Sequence, residues 1–222
     1  MESSYDHDAN RPEPGKETDM NRGMTATNLA RTILLAALAL LVLAPQALAE
    51  GEKVLMVVAN SNYQDKEYKD SRNVFEDAGM AVTVASPRGG MATGMSGGSV
   101  SCDLAVADVD VADYDAVVFI GGQGSRSMAN ESQCQRVARE AHGSGKVVGA
   151  ICHAPVVLAL AGVLDGKEGT VYKDWGGPDI LKKNGCDYKR SKVVVDGRVV
   201  TSDGPKSAKK FAKAVVEVMQ IK

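Results

Sequence analysis

The segment with the clearest chemical meaning is Val147-Val148-Gly149-Ala150-Ile151-Cys152-His153-Ala154-Pro155. A strand-like apolar run ends, a cysteine follows, and Pro155 suits the first turn of a helix. A strand that turns sharply into a helix is a nucleophile elbow, which lifts its central side chain to the edge of a sheet. The turn needs small residues two places before and after the nucleophile, and Ala150 and Ala154 supply them. Helix-start N–H groups favour negative charge, so Cys152 is expected to ionise readily and to attack carbonyl carbon. Attack builds an oxyanion, which needs N–H donors. Gly121 and Gly122 follow another apolar run, 115–120, and with the N–H of His153 they are the candidate donors. Each signal has a plainer reading: a free cysteine is often a core residue, and two glycines often only turn the chain.

The elements around this segment alternate in type. Apolar runs at 53–59, 81–85, 115–120 and 146–150 read as strands buried on both faces. Helical patterns end at Gly79 and cover about 130–143, 156–164, 177–184 and 206–220. Asp196-Gly197 between two β-rich runs predicts a hairpin. The stretch 87–101, rich in Gly, Ser and Met, reads as a loop. This order predicts an α/β fold: a doubly wound, mostly parallel sheet flanked by helices, a flavodoxin-like sandwich.

The N-terminal region is different. Arg22 and Arg31 precede a 12-residue apolar run, 33–44, with Ala47-Leu48-Ala49 after it. A bilayer span needs ~20 residues, so residues 1–49 are expected to be a signal peptide behind a polar leader, cut between Ala49 and Glu50. Export would make the protein secreted or periplasmic, with no stable membrane association after cleavage; the alternative is a single N-terminal anchor. The remaining 173 residues, 50–222, form one expected domain with 22 basic and 22 acidic residues. That balance gives no electrostatic footprint for nucleic acid. Three histidines in the whole chain leave little material for a metal centre, and no cofactor motif is complete. Cys102, Cys134, Cys152 and Cys186 would meet an oxidising compartment, where any two can pair.

Four blocks together resemble the ThiJ/PfpI superfamily, which shares its fold with the class I glutamine amidotransferases. They are Val54 to Ala59, Asp115 to Gly122, Ala150-Ile151-Cys152-His153-Ala154-Pro155, and Val194 to Pro205. The resemblance implies a glutamate after the first strand, within reach of the cysteine. Counting back 12 residues from Gly79 places it at Glu67. Its implied role is a carboxyl kept protonated by its surroundings, donating to the thiolate.

Departures from the family pattern bear on the chemistry. Where PfpI-type members orient the histidine with an acid from a partner subunit, this sequence has Arg126. Tyr172 stands where other members place a histidine, and no histidine follows His153. Asp203 replaces an arginine in the family's Ser-Arg-x-Pro turn. The resemblance implies a cysteine-dependent enzyme acting on small reactive carbonyls or their protein adducts, with Cys152, His153 and Glu67 catalytic and Tyr172 and Arg126 near the pocket. It equally leaves open a peptidase or amidase on peptide substrates, or a non-enzymatic redox or stress protein. The resemblance also implies a homodimer or higher homo-oligomer.

Overall fold

The computed structural model describes residues 51–221, so the expected signal peptide falls outside the described residues. A seven-stranded sheet forms the centre. Its strands are β1 (Lys53–Val57), β3 (Ala81–Ser86), β6 (Leu104–Ala105), β7 (Ala116–Phe119), β8 (Val147–Ile151), β11 (Val193–Asp196) and β12 (Val199–Ser202). They lie in the order β11-β12-β8-β7-β1-β3-β6. Every pairing is parallel except β11 with β12, the predicted Asp-Gly hairpin. The central strands β7 and β8 are apolar throughout because each face is covered. Alternate residues of β1 divide between two cores, as a two-residue repeat requires. Leu55 and Val57 pack into one core, Val54 and Met56 into the other.

Helix α1 (Asp65–Asp77) lies on one face of the sheet, with α6 (Ala208–Gln220) beside it. Phe75 and Phe211 are fully buried in that core. Helices α2 (Ser125–Asn130), α3 (Ser132–Gly143), α4 (Pro155–Leu160) and α5 (Gly177–Lys183) belong to the opposite side, where Met128, Val137, Leu158 and Leu181 share the other core. Among the described residues no helix is long and apolar enough to cross a membrane.

The stretch expected as a loop is structured. β4 (Gly90–Gly94) and β5 (Ser99–Cys102) pair antiparallel, and β2 (Ser61–Tyr63) adds to β4 in a separate three-stranded sheet. Glycines at positive φ carry its turns, notably Gly90 and Gly97, which is why the composition reads as irregular. A short parallel pair, β9 (Glu168–Gly169) with β10 (Asp187–Tyr188), braces the segment that follows the elbow.

Candidate active site

The elbow forms where the sequence places it. β8 ends at Ile151, Cys152 takes φ +63°, and α4 begins at Pro155. A non-glycine residue in this left-handed region is held there by its surroundings. Two backbone bonds do the holding: the Cys152 N–H donates to the Ser202 carbonyl at 2.8 Å, and its carbonyl accepts from the Tyr172 N–H at 2.8 Å. Ala150 and Ala154, the small residues flanking the turn, are fully buried.

Glu67 reaches the same point from α1. Glu67, Ser71 and Phe75 form the buried stripe of that helix at four-residue spacing. The Glu67 carboxyl is completely buried, and its Oε2 accepts from the Gly121 N–H at 3.0 Å. Oε1 has no well-aligned oxygen or nitrogen partner; the polar group the carboxyl next meets is the Cys152 thiol. Burial dominates its ionisation and pushes the carboxyl up to about 8, against a smaller downward pull from Cys152 and Gly121.

The thiol does not follow the sequence expectation of an easily ionised cysteine. Burial pushes it upward first, and the Glu67 carboxylate adds to this. The N–H groups of Gly122 and His153 pull downward and are outweighed. The helix behind the elbow is only six residues long and starts three positions later, so its field at the sulfur is weak. Cys152 and Glu67 therefore form one coupled acid pair that gives up its protons in two steps.

Gly121 and Gly122 are glycines for lack of space. A Cβ on Gly121 would sit 2.5 Å from Cys152 Cβ and 2.6 Å from Glu67 Oε2. A Cβ on Gly122, whose φ is +115°, would sit 2.6 Å from the Gln64 nitrogen. The loop after β7 can thus press its N–H groups against both acids.

His153 Nδ1 lies 3.6 Å from Cys152 Sγ, while Nε2 is buried without a hydrogen-bond partner. Its ring stacks on Trp175 at 3.8 Å between centroids and meets Tyr172 edge-on at 5.0 Å. Arg126 covers the other face of the indole, with Cζ 3.9 Å from its centroid. Arg126 is therefore part of an arginine–indole–imidazole stack and gives His153 no carboxylate. Burial lowers the His153 pKa; the Gly122 backbone and Asp174 oppose that, and the Arg126 charge assists it. A pocket of about 250 Å³ over Cys152 is lined by Gln64, Met95, Gly122, His153, Tyr172 and Trp175, among others.

Cys152, His153, Gly122 and Tyr172 line this pocket; Glu67 and Gly121 are buried beside Cys152, and Arg126 packs on the pocket residue Trp175. Asp174, Gln64 and Met95 were missed; they sit in irregular segments whose periodicity carries no signal. The four cysteines are all buried and unpaired by disulfides. Among the described residues no cluster of His, Cys, Asp or Glu is suited to a metal ion.

The model of the DJ-1/PfpI family matches residues 52–218. The chain belongs to the DJ-1/PfpI family. A protein of Methanocaldococcus jannaschii is 39% identical over 169 residues, covering 76% of this chain and 82% of its own. Deglycase PfpI of Pyrococcus furiosus is 32% identical over 168 residues, covering 76% and 99%. Among solved structures, the ThiJ/PfpI domain protein of Brachyspira murdochii superposes with a TM-score of 0.74 at 33% identity, over 77% of this chain and 98% of that one.

Proposed function

We propose that this DJ-1/PfpI family protein is a cysteine-dependent enzyme acting on small reactive carbonyls or their protein adducts, a glyoxalase- or deglycase-type activity. The observation that carries the reading is the buried Glu67 carboxyl, held at Gly121 and Cys152 with its pKa raised to about 8. A carboxyl that keeps its proton near neutrality beside a nucleophile is a proton donor and acceptor in waiting.

With an α-oxoaldehyde, Cys152 sulfur bonds to the aldehyde carbon. The carbonyl π electrons move to oxygen, which takes a proton, and the thiol gives one up, so the product is a hemithioacetal. The N–H groups of Gly122 and His153 already address the sulfur and are placed for the developing charge beside it. Moving the proton on the hemithioacetal carbon to the neighbouring carbonyl carbon, with Glu67 or neutral His153 as the carrier, and the hydroxyl proton to that carbonyl's oxygen, yields a thioester. Water releases it as a 2-hydroxy acid and restores the thiol; the net change is addition of one water. The small pocket suits a small carbonyl better than a polypeptide. Arg126 stands where a peptidase of this type has its orienting acid, and His153 Nε2 is hydrogen-bonded to no acid.

The test is incubation of the protein with methylglyoxal, glycated peptide and an unmodified peptide amide, with products followed by mass spectrometry. Lactate or deglycated peptide, lost in Cys152→Ala, is the expected result. Stoichiometric modification of Cys152 without product, or cleavage of the peptide amide, refutes the assignment.

A further inference from the structure

A second, larger cavity of about 760 Å³ lies next to the Cys152 pocket, and Tyr172 and Pro205 line both. We propose that this cavity is an anion subsite for the substrate, which is then a reactive carbonyl compound carrying a phosphate or carboxylate group. The inference rests on the carbonyl chemistry proposed for Cys152 and adds the substrate's charge.

Size is the first argument. Ligand sites usually occupy some ~300–1,000 Å³. The space above the sulfur, about 250 Å³, falls short of that range, and the adjoining cavity, about 760 Å³, lies within it.

Charge is the second. The wall carries Lys173, Arg190, Lys192 and Lys206 against a single acid, Asp203. That acid is already committed: Oδ2 accepts from Lys192 Nζ at 2.9 Å and Oδ1 from Ser207 Oγ at 2.8 Å. Among the described residues Lys173, Arg190 and Lys206 have no acidic partner. They come from separate stretches of chain, after β9, between β10 and β11, and before α6, yet face one concavity. Arg190 adds the planar donor fork that suits phosphate and carboxylate oxygens.

The wall is also held in place. Thr170 Oγ1 donates to the Ser191 carbonyl at 2.9 Å, and Ser202 Oγ donates to the Lys192 carbonyl at 2.9 Å. The family's turn arginine is Asp203 here, and the positive charge is supplied by its neighbours in space. A single drug-sized hollow fits a small anion; an acidic polypeptide would call for a stripe of charge along an open face.

The test compares matched aldehydes as reversible blockers of Cys152, read as protection from iodoacetamide by mass spectrometry, with no turnover required. Glyceraldehyde is set against glyceraldehyde 3-phosphate, and butanal against succinic semialdehyde. The expected result is that an anionic twin, from either arm, protects at a concentration at least about tenfold lower, a gain that fades with added salt. In the double variant Arg190→Gln/Lys206→Gln that ratio falls to about one, with circular dichroism confirming the fold. The arm showing the larger gain identifies phosphate or carboxylate. If methylglyoxal and the uncharged aldehydes fail to protect Cys152, the carbonyl reading itself falls. If they protect but the anionic twins gain nothing, or the gain survives the double variant, the subsite is overturned. Stronger protection by hexaglutamate than by either twin also overturns it.

Discussion

Replacing Glu67 with glutamine preserves the side chain's shape and its capacity to accept from the Gly121 N–H, while removing the group that titrates. In the folded protein this carboxyl ionises at about 8 where an ordinary glutamate ionises at 4.5. The gap of about 3.5 pH units is worth ~1.4 kcal/mol for each, or roughly 5 kcal/mol in all. The sign follows from which state releases the proton first. Below pH 4.5 both states keep it and the full stability is present. Between 4.5 and about 8 the unfolded chain ionises while the native carboxyl does not, so stability falls as pH rises through that window. Against a total of ~5–15 kcal/mol for a typical domain, the loss is large. Urea unfolding across this pH range, followed by the emission of the single tryptophan, Trp175, measures it. The wild type should lose stability by ~1.4 kcal/mol per pH unit more steeply than Glu67→Gln. Parallel curves for the two proteins would refute the claim that the buried acid keeps its proton.

The same variant should let Cys152 ionise at lower pH, because the carboxylate that raises it is gone; thiolate ultraviolet absorbance checks this, and an upward shift contradicts it. Gly121→Ala should lower stability by about 1–3 kcal/mol, since its Cβ would lie 2.5 Å from Cys152 Cβ, and should slow alkylation of that thiol; thermal unfolding and mass spectrometry report both. Protonated imidazole quenches a stacked indole, so Trp175 emission should drop as His153 takes a proton, at a pH below its ordinary 6.5. In Arg126→Gln the midpoint of that drop should move upward, and in His153→Gln the drop should vanish; its persistence there would assign it to another group.

Much of this arrangement is legible in the chain itself, for identifiable reasons. Strands β1, β7 and β8 announce themselves because burial on both faces leaves only apolar residues, and the elbow is marked by Ala150, Cys152, Ala154 and Pro155. Glu67 is harder, since it lies in the charged run Asp65-Lys66-Glu67-Tyr68-Lys69-Asp70. Local composition hides it, although its four-residue spacing from Ser71 and Phe75 marks the inward stripe of α1. β4 and β5 escaped because Gly90 and Gly94 bound β4, Gly97 and Gly98 fill the turn between the two, and Ala92 is the one fully buried residue of β4. The ionisation of Cys152 was misjudged because a turn's N–H groups can be read from sequence, whereas the completeness of burial and the distance to another acid cannot. The stack of Arg126, Trp175 and His153 joins three segments remote in sequence, and no periodicity anticipates it.

The Cys152 peptide is tethered to the partition between the two hollows. Tyr172 forms that partition, and its amide grips the carbonyl of residue 152 at 2.8 Å. A ligand resting against Tyr172 in either hollow therefore sits one hydrogen bond away from the peptide plane of Cys152.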